Sequence, residues 1–160
     1  MCIRDSGKLR PRRWGDLGTC DHIIMGKRGH GTGIGGNTSL FVYLDRAWNM
    51  RYADPSDDLG VIEVERSIRY IRGYDTIRHA YGDGWGSFPD AFKNCGIPFT
   101  KSTPGIHETN AVIERCNQAV ENDIRVALQD AGLPVCFWTF AAPIVCHLWN
   151  VELFLSLIHI

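Results

Sequence analysis

The chain has 160 residues, enough for one domain and few for two. Its hydrophobic fraction of 44% is that of a globular protein and excludes a disordered chain. The formal net charge of −1 carries no general nucleic-acid footprint; only Lys8, Arg10, Arg12 and Arg13 form a locally basic stretch, which reads as a solvated segment.

Taken in chain order, Cys20–Met25 reads as a first strand and the glycine-rich stretch 26–36 as a loop. Leu40–Asp45 is rich in residues that favour pleated surfaces and reads as a second strand. Met50–Ala53 pairs back on it through a turn near Trp48 and Asn49. Ser56, Asp57 or Asp58 is the expected cap of a helix whose apolar stripe runs Val61, Val64, Ile68, Ile71. Thr76–Tyr81 alternates as a strand and ends at Gly82-Asp83-Gly84. A short helix over Phe88–Asn94 is closed by Gly96, and a short strand follows over Ile97–Thr100.

The strongest helix carries Val112, Ile113, Cys116, Val120, Ile124, Leu128 and Ala131 on one stripe, and Gly132-Leu133-Pro134 stops it. A last helix starts near Pro134 and carries Phe137, Trp138, Phe140 and Trp149. A buried core position is expected for both Trp138 and Phe140. The order of elements is that of an α/β layer architecture with a mixed sheet.

None of the six cysteines forms a C-x-x-C pair, and no His/Cys group has zinc-finger spacing. Cys116 and Cys136 fall in apolar patterns, where a free thiol behaves as a small hydrophobe. This pattern fits a reducing compartment without a disulfide framework.

The two ends share one origin. Met1–Ser6 back-translates to ATG TGT ATA AGA GAC AGn, whose reverse complement in a shifted frame encodes Leu-Ser-Leu-Ile-His-Ile, the last six residues. Both resemble the transposase mosaic-end adapter of sequencing libraries. Residues 1–6 and 155–160 are therefore expected to be adapter-derived, leaving 7–154 as the natural segment, truncated at both ends. Without that tail, the run from Pro134 to Trp149, which holds Pro143 and His147, is too short to span a membrane.

Three carboxylates stand at special places: Asp21 in the first strand, Asp83 at the end of the fourth, and Glu114 in the first turns of the long helix. Carboxylates that converge without a basic partner repel one another unless a hard divalent cation neutralises them.

Family likeness singles out these three among 18 acids. Residues 102–118 resemble the S-T-P-x(4-5)-N-G-V-x-E-R-x-N-R block of copia-type and related retroelement integrases. Residues 131–150 resemble the A-G-L-P-x-x-F-W-x-x-A stretch that follows it. Tyr81-Gly82-Asp83 resembles the Y-S-D around the second acid, Cys20–Ile23 the D-H-I around the first, and Val42–Ala47 the V-x-x-D-R-A strand. The resemblance covers roughly residues 14–150. The 30 residues between Asp83 and Glu114 are fewer than in the retroviral pattern and resemble integrase-like reading frames of marine protists.

The resemblance implies an RNase H-like fold, a mixed five-stranded sheet flanked by helices, in which the first and fourth strands are neighbours. It implies a DDE-type polynucleotidyl transferase, with Asp21, Asp83 and Glu114 as both catalytic residues and ligands of Mg²⁺ or Mn²⁺. Two such ions would suit in-line attack on a phosphodiester. Asn110, Asn117 and Gln118 are the implied DNA contacts, Asn117 and Gln118 sharing the helix face of Glu114. The implied partners are element and target DNA and further copies of the chain, with no membrane, in the nucleus or a cytoplasmic virus-like particle.

Gly84, the segment Ile106–Thr109 with Glu108, and Ala111 depart from the family pattern. They leave open a decayed copy that serves only as a DNA-binding or assembly module. Asp45 matches a family acid outside the catalytic set, and His22, next to Asp21 on a strand, faces the other side of the sheet as a structural residue.

Two other readings compete. Gly31-Thr32-Gly33-Ile34-Gly35-Gly36 fits the dinucleotide fingerprint, but a strand rather than a helix is expected after it, so no helix N-terminus would meet a pyrophosphate. An RNase H-like nuclease with another substrate is disfavoured by the block around Glu114.

Overall fold

A computed structural model describes residues 11–26, 31–83, 86–102 and 107–158; within 107–110 and for 157 and 158 it describes the backbone alone. The expected strand Leu40–Asp45 is β2 (Ser39–Asp45), every residue of it buried. Its alternation explains why it needs two cores. Leu40, Val42 and Leu44 face one side, and Phe41 and Tyr43 the other.

Around β2 a five-stranded mixed sheet assembles in the order β3-β2-β1-β4-β5. β1 (Gly18–Ile24) and β3 (Arg51–Ser56) both pair antiparallel with β2. The turn between β2 and β3 is closed by Asn49 in the left-handed region, φ 58°. β4 (Ala80–Gly82) lies parallel beside β1, and β5 (Phe99–Lys101) parallel beside β4. The crossovers between these parallel strands are α1 (Val61–Arg72) and α2 (Phe88–Asn94). Both cover the face that carries Cys20, Phe41 and Tyr43.

The opposite face, with Ile23, Leu40, Val42, Leu44 and Ala53, is covered by α3 (His107–Asp130) and α4 (Trp138–Ile158). The stripe expected on α3 is its inner face from Ile113 to Leu128: Ile113, Cys116, Val120, Ile124 and Leu128 are buried, Val112 is half-buried, and Ala131, expected on the same stripe, lies past the helix end and is exposed. The helix stops as expected, with Gly132 at φ 63° and the Leu133 N–H returned to the Leu128 carbonyl. A short 3₁₀ turn, Val135–Phe137, then leads into α4.

Three local expectations are corrected. α1 is not capped by Ser56, Asp57 or Asp58; its N-cap is Gly60, without a side-chain hydrogen bond. Ser56 belongs to β3, and its hydroxyl is engaged with the Asp58 N–H and C=O and with the Glu63 carboxylate, so it caps no backbone N–H of the helix. The strand expected from Thr76 begins only at Ala80, because β1 offers no ladder before Gly18. Residues 76–79 run instead beside the N-terminal segment, with Arg78 N–H on the Gly15 carbonyl at 2.7 Å.

Phe140, expected in the core, is 54% exposed, whereas Trp138 is 1% exposed. Two residues along a helix turn a side chain through about 200°, so the two rings cannot share a face. The last helix, expected to carry Trp149, runs beyond it. It continues to Ile158 and is long and apolar enough to cross a membrane by length and composition. Its inner residues Trp138, Ala141, Ala142, Val145 and Cys146 are nonetheless part of the sheet's core. Asn150 is anchored to β3, its amide paired with both the N–H and the C=O of Arg51 at 2.8 Å.

The glycine-rich stretch is followed by β2 and not by a helix, so the dinucleotide fingerprint lacks its anion site. All five described cysteines are free.

Candidate active site

Asp21 sits in the middle of β1, paired with Val42 across the sheet, on the α3 side. Asp83 is the first residue past β4. The parallel register brings Gly82 opposite Cys20, so the backbone of β4 delivers Asp83 next to Asp21. The glycine is required there: a Cβ at position 82 would lie 2.6 Å from the Cys20 carbonyl oxygen. Arg46 donates from Nη1 to the Tyr81 hydroxyl at 2.6 Å, tying the end of β2 to the strand that carries Asp83.

Glu114 stands in the second turn of α3 and is exposed, next to the buried Ile113. Three residues on, Asn117 turns inward and donates from Nδ2 to Asp21 Oδ2 at 2.8 Å. Its own Oδ1 is buried without a hydrogen-bond partner. The other oxygen of Asp21 accepts the His22 backbone N–H at 2.8 Å.

Burial raises the Asp21 carboxyl above the ordinary carboxylate value. The hydrogen bonds from His22 and Asn117 pull it back, and the charges of Asp83 and Glu114 push it up again. Asp83 and Glu114 thus both lie within electrostatic reach of Asp21. Their hard oxygen donors suit Mg²⁺ or Mn²⁺. Among the described residues, no group of three or more His, Cys, Asp and Glu side chains is close enough to hold one ion in common. The three carboxylates therefore share a field without forming a closed cage.

Of the residues expected at DNA, Gln118 is exposed and Asn117 is half-buried, its amide committed to Asp21. The backbone of Asn110 lies in α3, but its side chain is outside the described residues, as are Gly84, Ile106 and the side chain of Glu108. The link from Asn117 to Asp21 escaped the sequence reading. Its signal was present in the i+3 spacing from Glu114, but that spacing does not say which strand lies beneath.

His22 points to the other face, as expected. Its ring stacks on Phe88 with centroids 4.7 Å apart and meets Phe41 edge-on at 5.6 Å. Burial lowers its pKa to about 4, so it is a neutral core residue at pH 7.

This architecture is the RNase H-like fold of retroviral integrase catalytic cores. The catalytic core domain of BIV integrase superposes with a TM-score of 0.58 at 17% identity, over 81% of this chain and 82% of that one. A chain of the simian T-cell lymphotropic virus intasome, solved in complex with PP2A regulatory subunit B56 gamma, superposes with a TM-score of 0.67 at 16% identity. That match covers 86% of this chain and 49% of the other.

In sequence, 63 residues, 39% of the chain, are 35% identical to the retrovirus-related Pol polyprotein from transposon TNT 1-94 of Nicotiana tabacum. The matched segment is about 5% of the length of that polyprotein. No family model matches the chain.

Proposed function

We propose that the chain is the catalytic core of a retrotransposon-type integrase, a DDE-type polynucleotidyl transferase that processes element DNA ends and joins them to target DNA. One observation carries this reading. In a fold shared with retroviral integrase cores, Asp21 on β1 feels the charges of Asp83, just past β4, and of Glu114 on α3.

The chain's own contribution is positioning and charge. The sheet fixes Asp21, the tight β1–β4 approach at Gly82 fixes the start of the Asp83 segment, and α3 presents Glu114 beside them. Asn117 and the His22 N–H hold the Asp21 carboxylate in one orientation. Mg²⁺ or Mn²⁺ bound by the three acids would activate the attacking hydroxyl or water and stabilise the leaving oxygen. Gln118, Asn117 and Asn110 lie along the first turns of α3, where the DNA backbone would pass. Several copies are needed to join two ends, in the nucleus or in a cytoplasmic virus-like particle.

A second reading, a decayed core that only binds DNA or assembles, is favoured by the lack of three acids at ligand distance among the described residues. A disintegration assay with the full chain on branched DNA in Mg²⁺ or Mn²⁺ separates the two. The active core gives metal-dependent rejoining, reduced roughly 10²–10³-fold in Asp83→Asn and Glu114→Gln. Folded protein with no rejoining in either metal would sink the catalytic reading and leave the remnant.

A further inference from the structure

At the N-terminal end of β1, away from the carboxylates, three aromatic rings line one cleft. Trp14, Trp48, Met50, Tyr52 and Asp75 form it with Ile71 as floor and Arg13 on its exposed side, and its volume is about 450 Å³. Trp14 and Tyr52 stand nearly perpendicular, 77° apart with centroids at 6.3 Å, so they form two adjoining walls. The Trp14 indole N–H donates to the Tyr52 hydroxyl at 3.0 Å and locks the pair. Trp48, 46% exposed, leaves the third wall accessible.

The walls are held from below by two carboxylates. Asp45 is wholly buried, and its oxygens accept the N–H groups of Gly15 at 2.9 Å, Ala47 at 3.1 Å and Trp48 at 2.7 Å. It thereby fixes the backbone at Trp48 and the residue after Trp14. Asp16 accepts the N–H groups of Arg12 and Arg13 at 3.0 Å and closes the turn that carries Trp14. The cleft is thus preorganised, and the conspicuous Asp45-Arg46-Ala47-Trp48 run acquires a role outside the catalytic set.

Aromatic faces present negative potential, and a cation enclosed by several rings gains from each. A bare ammonium would have to give up strongly bound water to enter, whereas a methylated one is weakly hydrated. Asp75 puts a carboxylate on the cleft lining opposite in sign to a cationic guest, while Asp16, which is ion-paired with Arg78 at 3.5 Å, also lies near Arg13. Met50 and Ile71 give the cleft an apolar floor suited to a four-carbon stem. We propose that this cleft binds the trimethylammonium head of a methylated lysine side chain on a partner polypeptide.

The test follows the indole N–H resonances of the full chain during titration with a trimethyllysine peptide, its unmodified twin and tetramethylammonium chloride. Saturable shifts at Trp14 and Trp48 with the trimethylated peptide are expected, with affinity lower by about tenfold for the unmodified peptide. Trp48→Ala should abolish binding, Trp48→Phe should retain it, and Asp75→Asn should weaken it several-fold. Equal affinity for both peptides, no saturable shift, or undiminished binding by folded Trp48→Ala overturns the proposal. Saturation by tetramethylammonium with no binding of the peptide overturns the assignment to lysine.

Discussion

Asp45 shows how one buried carboxylate can organise two loops. Each of its oxygens serves as acceptor, one to Gly15 and the other to Ala47 and Trp48. An amide in its place keeps one acceptor and turns an N–H₂ toward a donor. Asp45→Asn is therefore expected to destabilise the fold by about 1–3 kcal/mol, measured by urea unfolding. An unchanged midpoint would mean that the turns hold themselves.

His22 gives the pH dependence. Stacked on Phe88 with Nδ1 buried and unpaired, it is held neutral by burial, its pKa falling from 6.5 to about 4. Between those values the unfolded chain binds a proton that the folded chain does not. Stability is therefore full above pH 6.5 and falls as pH drops toward 4, by roughly 2–3 kcal/mol. His22→Phe should flatten this part of the stability–pH curve; a wild-type curve already flat between pH 7 and 4 would contradict the argument.

At the scale of elements, α4 carries two faces of opposite fate. Trp138 fills the core beside α3, and its indole N–H reaches the Gly31 carbonyl at 3.1 Å. Truncation there removes a large buried ring, so Trp138→Ala should cost about 3–5 kcal/mol in chemical unfolding. Phe140 lies in an exposed row with Ile144 and Leu148, and Phe140→Ala should change stability by no more than about 0.5 kcal/mol. Comparable losses for the two would mean that the outer face is covered in solution. β3, at the sheet's edge, is handled by the same helix: Asn150 occupies the Arg51 N–H and C=O that would otherwise template another strand. The guanidinium of Arg51 then lies over the Trp149 ring at 3.6 Å, a second tie between this edge and α4.

For the whole molecule, charge sets the expectation. With a net charge of −1, the chain has no excess of cations to displace counterions from DNA. Its affinity for duplex DNA should be weaker than the roughly 10⁻⁴ M of non-specific binding driven by counterion release, and should change little with salt. A titration at two salt concentrations measures this. Steep salt dependence would show that cations are concentrated on one surface despite the balance.

The sequence by itself determined the order and type of the elements, because apolar periodicity reports which faces leave water. The stripe on α3 and the alternation of β2 are legible without any partner. It also marked Asp21, Asp83 and Glu114, but only through likeness to a family, since 18 acids offer no internal criterion. What it left open depended on contacts between distant segments. That Asn117 serves Asp21, that Ser56 is drawn into a turn and not a cap, and that rings from the N-terminal segment, the β2–β3 turn and β3 share a cleft could not be read locally. Each follows from which backbone lies beneath which side chain. That is fixed only when β1, β4 and α3 are brought together, because a hydrogen bond or a ring contact needs a partner within a few ångströms and sequence spacing supplies no such distance.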